Sequence, residues 1–177
     1  MEIELQPFER SDFSRLISWV SSPEFLLQWA GPIFHYPLTE DQLESYYSSG
    51  TEAPADRLVY KAIDRKSGEV VGHIELNLID RENRSARLSR VLVGPDEKRN
   101  KGIGALMTNR ILEIAFQENH LHRVDPFVFD FNIGAIQCYE KCGFKKEGFL
   151  RDARRFGDGY WSLYLMSILE NEWRRKE

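Results

Sequence analysis

Cysteine is scarce: of 177 residues two are cysteines, Cys138 and Cys142. A small secreted scaffold needs more, so a disulfide framework is excluded and a reducing compartment fits. A structural zinc site needs four ligands, and no second Cys/His pair stands at finger spacing, so no metal site is expected. The two cysteines, four positions apart, read as small core or half-buried residues of one helix. No apolar run approaches the roughly 18 residues that span a membrane. The N-terminus, Met1-Glu-Ile-Glu-Leu-Gln, has neither the basic start nor the apolar core of a signal peptide, so a cytoplasmic protein with no membrane partner is expected. Basic residues are not in excess either. The 24 Lys and Arg face 28 Asp and Glu, and a net charge of -4 makes nucleic acid a poor partner. Repeats, low-complexity tracts and linkers are also lacking.

What is present suits one domain over residues 1–177, with 42% hydrophobic residues to fill a core. Glu2 to Phe8 alternates loosely and predicts a strand. Ser11 is placed to N-cap a helix with Phe13, Leu16, Ile17 and Val20 on one face. A second helix follows Pro23, and Ala30 to Pro37 is punctuated as a loop. Thr39 can cap a helix from Glu40 to Tyr47, whose first-turn acids suit the helix dipole; 51–56 reads as another loop. From Arg57 the pattern turns to strands: Leu58 to Ile63, Val70 to Leu78 after the turn Lys66-Ser67-Gly68, and Ala86 to Val93. Ile103 to Gln117 is the clearest helix, with Ile103, Leu106, Met107, Ile111, Ile114 and Ala115 on one stripe. A strand from Arg123 to Phe129, a helix from Ile133 to Cys142 closed by Gly143, and strands over Phe144 to Leu150 and Tyr160 to Leu169 complete the chain, with a loop over Arg151 to Gly159. This order predicts an α/β fold built on one mixed sheet. Pro126 has no N–H for a ladder and belongs at an edge or a break.

The most informative stretch runs from Val91 to Ala105. A buried strand ends, a charged loop follows, and Gly102 and Gly104 open an amphipathic helix. A helix start offers unpaired N–H groups and partial positive charge, and glycine lets an anion approach without meeting a Cβ. The first turn is therefore a cradle for phosphate. Between Arg81 and Lys101 stand seven basic residues and three acidic ones, a local excess of four positive charges inside an acidic chain. Other phosphate loops fit badly. Met107 stands where the dinucleotide fingerprint wants a small residue, and the Gly-Lys-Ser/Thr ending of a Walker loop is missing.

Arg99-Asn-Lys-Gly102-Ile-Gly104 resembles the Q/R-x-x-G-x-G/A motif of the GNAT N-acetyltransferases. Asn132-Ile-Gly-Ala-Ile-Gln-Cys-Tyr139-Glu-Lys-Cys-Gly143-Phe144 is similar to their second signature, N-x-x-A-I-x-x-Y-x-x-x-G-F. A weaker likeness runs from the first strand to Trp173, nearly the whole chain. Within the family the sequence most resembles the branch of ribosomal-protein N-terminal and spermidine acetyltransferases. The resemblance implies a single-domain acyl-CoA N-acyltransferase fold, its central sheet carrying a splayed strand pair and flanked by helices. Acceptor-side helices would lie at about 11–50 and the cofactor-binding core at about 58–169. It implies acetyl-CoA as acyl donor and no metal. The backbone of Val91, Leu92 and Val93 would bind the pantetheine arm. Arg99, Asn100, Lys101, Gly102, Ile103, Gly104 and Ala105 would hold the pyrophosphate. Asn132 would lie near the pantetheine, although helix capping alone would account for it. Tyr139 matches the tyrosine taken as general acid toward the departing thiolate; its spacing also fits a core aromatic.

Direct attack of a neutral amine on a thioester needs N–H donors for the oxyanion and a proton for the sulfur. An aliphatic ammonium, with a pKa near roughly 10.4, is almost wholly protonated at pH 7, so a base or proton path is wanted. Many relatives carry a Glu on the strand equivalent to Leu88 to Val93; here that strand has Ser89 and Arg90 and no acid. Glu75 and Asp130 are the candidates, with His73 as a relay, and each also reads as a surface or structural group. The first sixty residues carry ten acids and three bases. That charge would attract cationic amines if it faced the cleft, and would be a solvated helix face otherwise. Trp19, Trp29, Phe34, His35 and Tyr36 are candidate pocket or core aromatics. The acceptor expected is a small amine or polyamine. The alternatives are a peptide N-terminus, and a non-catalytic acyl-CoA sensor. Oligomeric state is open, a homodimer included.

Overall fold

The structure is a computed structural model that describes residues 1–49 and 56–174; the loop expected over 51–56 lies, except for Asp56, outside the described residues. Seven strands form one sheet in the order β1-β2-β3-β4-β5-β7-β6. They are β1 (Ile3–Pro7), β2 (Leu58–Asp64), β3 (Glu69–Asp80), β4 (Ser85–Val93), β5 (Arg123–Phe129), β6 (Lys145–Phe156) and β7 (Gly159–Leu169). All neighbours run antiparallel except β4 and β5, which are parallel and joined through a helix, as a parallel pair requires. This is the expected mixed α/β sheet.

The helices are α1 (Phe13–Ser18), α2 (Pro23–Ala30), α3 (Glu40–Ser48), α4 (Ile103–Glu113), α5 (Ile133–Cys142) and α6 (Glu170–Arg174). Two cores result. Ile103, Met107, Ile111 and Leu112 of α4 and Ile136 and Tyr139 of α5 pack with Ile74, Leu76, Ala86, Leu88 and Val124 of the sheet. Phe13, Leu16, Leu26, Trp29, Leu43 and Tyr46 of α1 to α3 pack around Leu92 in the second core. The two meet where Gly94 leaves β4. A Cβ on Gly94 would stand 2.1 Å from the Trp19 ring, so only glycine admits that close approach.

Local chemistry explains most boundaries. Ser22 Oγ accepts from Phe25 N, Thr39 Oγ1 from Gln42 N and Asn132 Oδ1 from Ala135 N, each capping its helix. Gly143 closes α5 with φ 99°. Ser11 does not cap. It lies inside a 3-10 turn, Arg10–Asp12, capped by Glu9, whose N–H donates to Asp12 Oδ2; Asp12 stands at the N-cap of α1 and is held by Lys61 and Arg15. A 3-10 turn at Gly31–Ile33 occupies part of the expected loop.

Three further expectations are corrected. The helix expected to Gln117 is α-helical only to Glu113 and continues as a π turn over Ile114–Glu118. Ile114, Ala115 and Phe116 are all buried, where the helix end is covered by the sheet and by Trp173. Leu106 leaves the apolar stripe for solvent, while Leu112 is buried. The loop expected from Arg151 to Gly159 is mostly β6, which pairs with β7 as far as Phe156–Gly159. As an edge strand with no fully buried position it carries Arg151, Asp152, Arg154 and Arg155, so no apolar alternation marks it. α6 follows β7 directly and seals the first core with Trp173.

Candidate active site

The site begins with a one-residue irregularity in β4. His73 pairs with Leu92 but Glu75 with Ser89, so β4 carries one extra residue there, and Arg90 takes φ 51°. Such a bulge exchanges the two faces of a strand. Before it, Ala86 and Leu88 point to the α4 and α5 core; after it, Val91 and Val93 do so and Leu92 joins the other core. Arg90 is thereby turned to the α1–α3 face, beside Glu75.

At the same level β4 and β5 part. Their ladder runs only from Ser85–Arg123 to Leu88–Pro126. Pro126 is the last paired residue, and on its other side β7 pairs with Val124 and Phe127 but not with the two residues between. The proline thus sits at an interruption in both ladders, where its missing N–H costs nothing. Beyond it the β4 edge from Ser89 to Val93 faces a cleft of about 1030 Å³.

One end of that cleft is built by the glycine-rich loop. Gly102 takes φ 82° at the N-cap of α4, and Gly102, Ile103, Gly104 and Ala105 all line the cleft. The N–H groups of Gly102, Ile103 and Gly104 precede the first intrahelical bond, made by Ala105 N to Gly102 O. A Cβ on Gly102 would meet nothing within 4 Å, so the space above it is open. These residues fit a diphosphate. Arg99 lines the same end, but its guanidinium holds the strand end: Nε donates to Val93 O at 2.9 Å, Nη2 to Gly94 O at 3.0 Å, and Nη1 pairs with Asp96 at 2.6 Å. Asn100 lines the cleft and Lys101 is exposed outside its lining.

Asn132, the N-cap of α5, and Cys138 and Tyr139 within it also line the cleft. Tyr139 is buried with its ring 5.5 Å from Phe144, and burial raises its phenol above the ordinary range. Val91, Leu92 and Val93 face it across the splay. The cofactor-side residues expected from the sequence are thus brought to one cleft, Lys101 excepted.

The expected bases are not on the cleft surface. Glu75 is fully buried. Arg90 grips both its oxygens at 2.5 Å, the Tyr46 hydroxyl donates to it, and Arg57 Nε stands 3.5 Å away. Burial opposes the charge, but Arg90 outweighs it and holds the carboxyl below its usual range. His73 is buried between Phe8 and Trp29, 3.3 Å from the Tyr46 hydroxyl, and burial depresses it to about 4, so it is neutral near pH 7. Asp130 caps no cleft wall; its N–H donates to Ser162 O. Of the aromatics considered, Trp29 and Phe34 line the cleft and Trp19, His35 and Tyr36 do not. Tyr46, Arg57, Arg87 and Arg154 line it without having been singled out. Their only signal was a scatter of single residues on three elements and the segment before β2.

A sheet opened by a bulge beside a proline, with a helix N-terminus at one end of the split, defines an acyl-CoA transferase. The family model described as an acetyltransferase (GNAT) domain matches residues 2–145. The chain therefore belongs to the GNAT family, the acetyl-CoA-dependent N-acetyltransferases. It is 26% identical over 173 residues to a spermidine N(1)-acetyltransferase of Vibrio cholerae, covering 97% of this chain and 95% of that one. It is also 26% identical over 175 residues to an uncharacterised N-acetyltransferase, p20, of Bacillus licheniformis, with 97% and 94% covered. The crystal structure of the Vibrio cholerae spermidine enzyme in complex with CoA and spermine superposes with a TM-score of 0.85 at 25% identity, over 98% of each chain. Among the described residues no helix is long and apolar enough to cross a membrane, and no group of three or more His, Cys, Asp or Glu could hold a metal ion.

Proposed function

We propose that this N-acetyltransferase passes the acetyl group to the primary amine of a small molecule, within the split between β4 and β5. The observation that carries the reading is the meeting, in one cleft, of a glycine-lined helix start, an unpaired strand edge and a buried tyrosine. Acetyl-CoA, when bound, supplies the thioester. The Gly102–Gly104 N–H groups hold its diphosphate, and the backbone of Val91 to Val93 aligns the pantetheine arm as a further strand would. The same edge offers N–H donors to the developing oxyanion. Asn132 fixes the start of α5 and so the position of Tyr139.

Tyr139 lies beside the departing sulfur in this reading. A thiol has a pKa near roughly 8.5, well below that of a buried phenol, so complete proton transfer from Tyr139 is uphill. The phenol therefore stabilises the sulfur by hydrogen bonding, and its proton moves only as another replaces it. Glu75 acts through Tyr46, whose hydroxyl donates to it and lines the cleft. The attacking nitrogen's proton is destined for the departing sulfur, so Glu75, held ionised by Arg90, orients the Tyr46 oxygen to accept a hydrogen bond from the amine and does not keep the proton. Asp130 remains a weaker candidate for that work because no cleft wall includes it.

The spermidine-named relatives support a small aliphatic amine over a peptide, and spermidine is the first acceptor to assay. The dodecameric structure of the Vibrio cholerae spermidine N-acetyltransferase supports self-association of this chain beyond a dimer. The test is release of free CoA thiol with spermidine, aminoglycosides, amino acids and short peptides. Turnover with small amines and none with peptides is expected. Tight acetyl-CoA binding with no release in any arm would leave a sensor instead.

A further inference from the structure

Resting on the reading of this cleft as the acetyl-CoA site, we infer that Cys138 is a modification site, where a small disulfide exchanges with the thiol and the mixed disulfide so formed shuts acetyl-CoA out. The position of the sulfur carries this. Cys138 lines the cleft and is half-buried. Its Sγ lies against the first turn of α4, 3.5 Å from where a Cβ on Gly104 would stand. Gly104 belongs to the diphosphate cradle, so a group added to this sulfur takes up space beside the cradle.

Cys138 is not alone there. One turn further along α5, Cys142 is buried and its thiol reaches Ala105 O at 3.7 Å. One turn along α4 from Gly104, the Thr108 hydroxyl is fully buried and among the described residues meets no hydrogen-bond partner. It is a donor held in place for a sulfur that carries charge. A hydrogen bond with Cys142 lowers the Cys138 thiol below its ordinary value. Thr108 and the charge of Lys141 act in the same direction, and burial opposes them without prevailing. The thiolate is the nucleophile in disulfide exchange, so the more exposed cysteine is also the reactive one.

The exchange balances with the small disulfide as the only oxidant. The Cys138 sulfur bonds to one sulfur of that disulfide as its S–S bond breaks, and the other half leaves as a thiolate. An excess of small thiol reverses the step. Acetyl-CoA and the added group exclude each other, so bound donor protects the thiol by mass action. At about ten times its dissociation constant, acetyl-CoA leaves about one site in eleven open and should slow the exchange about elevenfold.

The test treats the native chain, Cys138→Ala and Cys142→Ala with glutathione disulfide, with and without acetyl-CoA. Intact mass and peptide mapping follow the modification, and calorimetric titration measures acetyl-CoA affinity before and after it. The native chain should gain one glutathionyl group, on Cys138, and bind acetyl-CoA at least about tenfold more weakly until dithiothreitol restores it. Cys142→Ala should behave in the same way. Cys138→Ala should gain nothing, and its affinity should be the same before and after treatment. The proposal is overturned by modification at Cys142, by an internal Cys138–Cys142 disulfide with no added mass, or by no reaction of the native chain. A glutathionyl group that unfolds the chain, or that leaves acetyl-CoA affinity unchanged, also overturns it. If the untreated chain binds acetyl-CoA and yet acetyl-CoA does not slow the exchange, this inference alone fails. If the untreated chain does not bind acetyl-CoA, the reading of the cleft fails, and this one with it.

Discussion

Single residues here carry roles set by what surrounds them. Tyr139 is buried, its phenol held neutral, and lines the cleft where Val91 to Val93 run. Tyr139→Phe is expected to lower kcat about a hundredfold, the scale of a lost acid–base group, with little change in KM for acetyl-CoA. A steady-state comparison decides it, and an unchanged kcat would return Tyr139 to the core. Glu75 is different, because two arginines depend on it. Glu75→Gln leaves Arg90 and Arg57 without their carboxylate and should cost about 3–5 kcal/mol, as for a broken buried pair. Urea unfolding measures this directly. A loss below about 1 kcal/mol would mean that the pair is solvated. The resemblance to the family pointed at Tyr139, whereas Glu75 was a candidate only because the strand over Leu88 to Val93 carries no acid. Sequence pattern had no means of telling that one would line the cleft and the other stand behind Tyr46.

At the scale of elements, the cradle depends on how α4 begins. Gly104 lies inside the first turn, where a Cβ would meet Cys138 Sγ at 3.5 Å and Val93 Cγ2 at 4.0 Å, ordinary contacts. Gly104→Ala should thus keep the fold and gain up to about 1 kcal/mol from helix propensity. The motif admits alanine at this position, so acetyl-CoA should still bind within about threefold of the native affinity, a change below about 0.7 kcal/mol. Calorimetric titration beside a melting curve separates the effects. An affinity loss beyond about tenfold with the fold kept would mean that the diphosphate lies against Gly104 itself. α4 itself was legible because Ile103, Met107 and Ile111 recur at helical spacing and the glycines mark its start. Its π-helical end was not, since widening a turn answers to the burial of Phe116 against Trp173, a residue far along the chain. β6 was half legible: its charged outer stretch has no apolar face, and only pairing with β7 makes it a strand.

For the whole molecule, the buried cluster of His73, Tyr46, Glu75 and Arg90 ties stability to pH. His73 is depressed from 6.5 to about 4 by burial, with Glu75 opposing and Arg90 adding to the shift. Between those values the unfolded chain binds a proton that the folded chain refuses, so stability falls as pH drops from about 6.5 to 4. The shift corresponds to about 3 kcal/mol. Glu75 acts in the same direction but lower. Its carboxyl is held below the usual range, so its contribution is present above about pH 4.5 and lost as pH falls through the folded value. Urea midpoints from pH 7.5 to 4 should show the decline, and His73→Gln should flatten its upper part. A midpoint constant from pH 7 to 5 in the native chain would exclude a neutral buried imidazole.

The sequence by itself determined the periodic and the covalent: helix faces, caps at Ser22, Thr39 and Asn132, glycines where a helix meets an anion, and a proline that no central ladder accepts. Each of these is a property of a residue and its near neighbours. The tertiary structure decided what depends on distant partners. It put Arg90 on the face of Glu75 through one extra residue in β4, and it brought Tyr46, Arg57, Arg87 and Arg154 to the lining of one cleft. Charge and residue type counted along a chain say nothing about which distant side chains share one cavity.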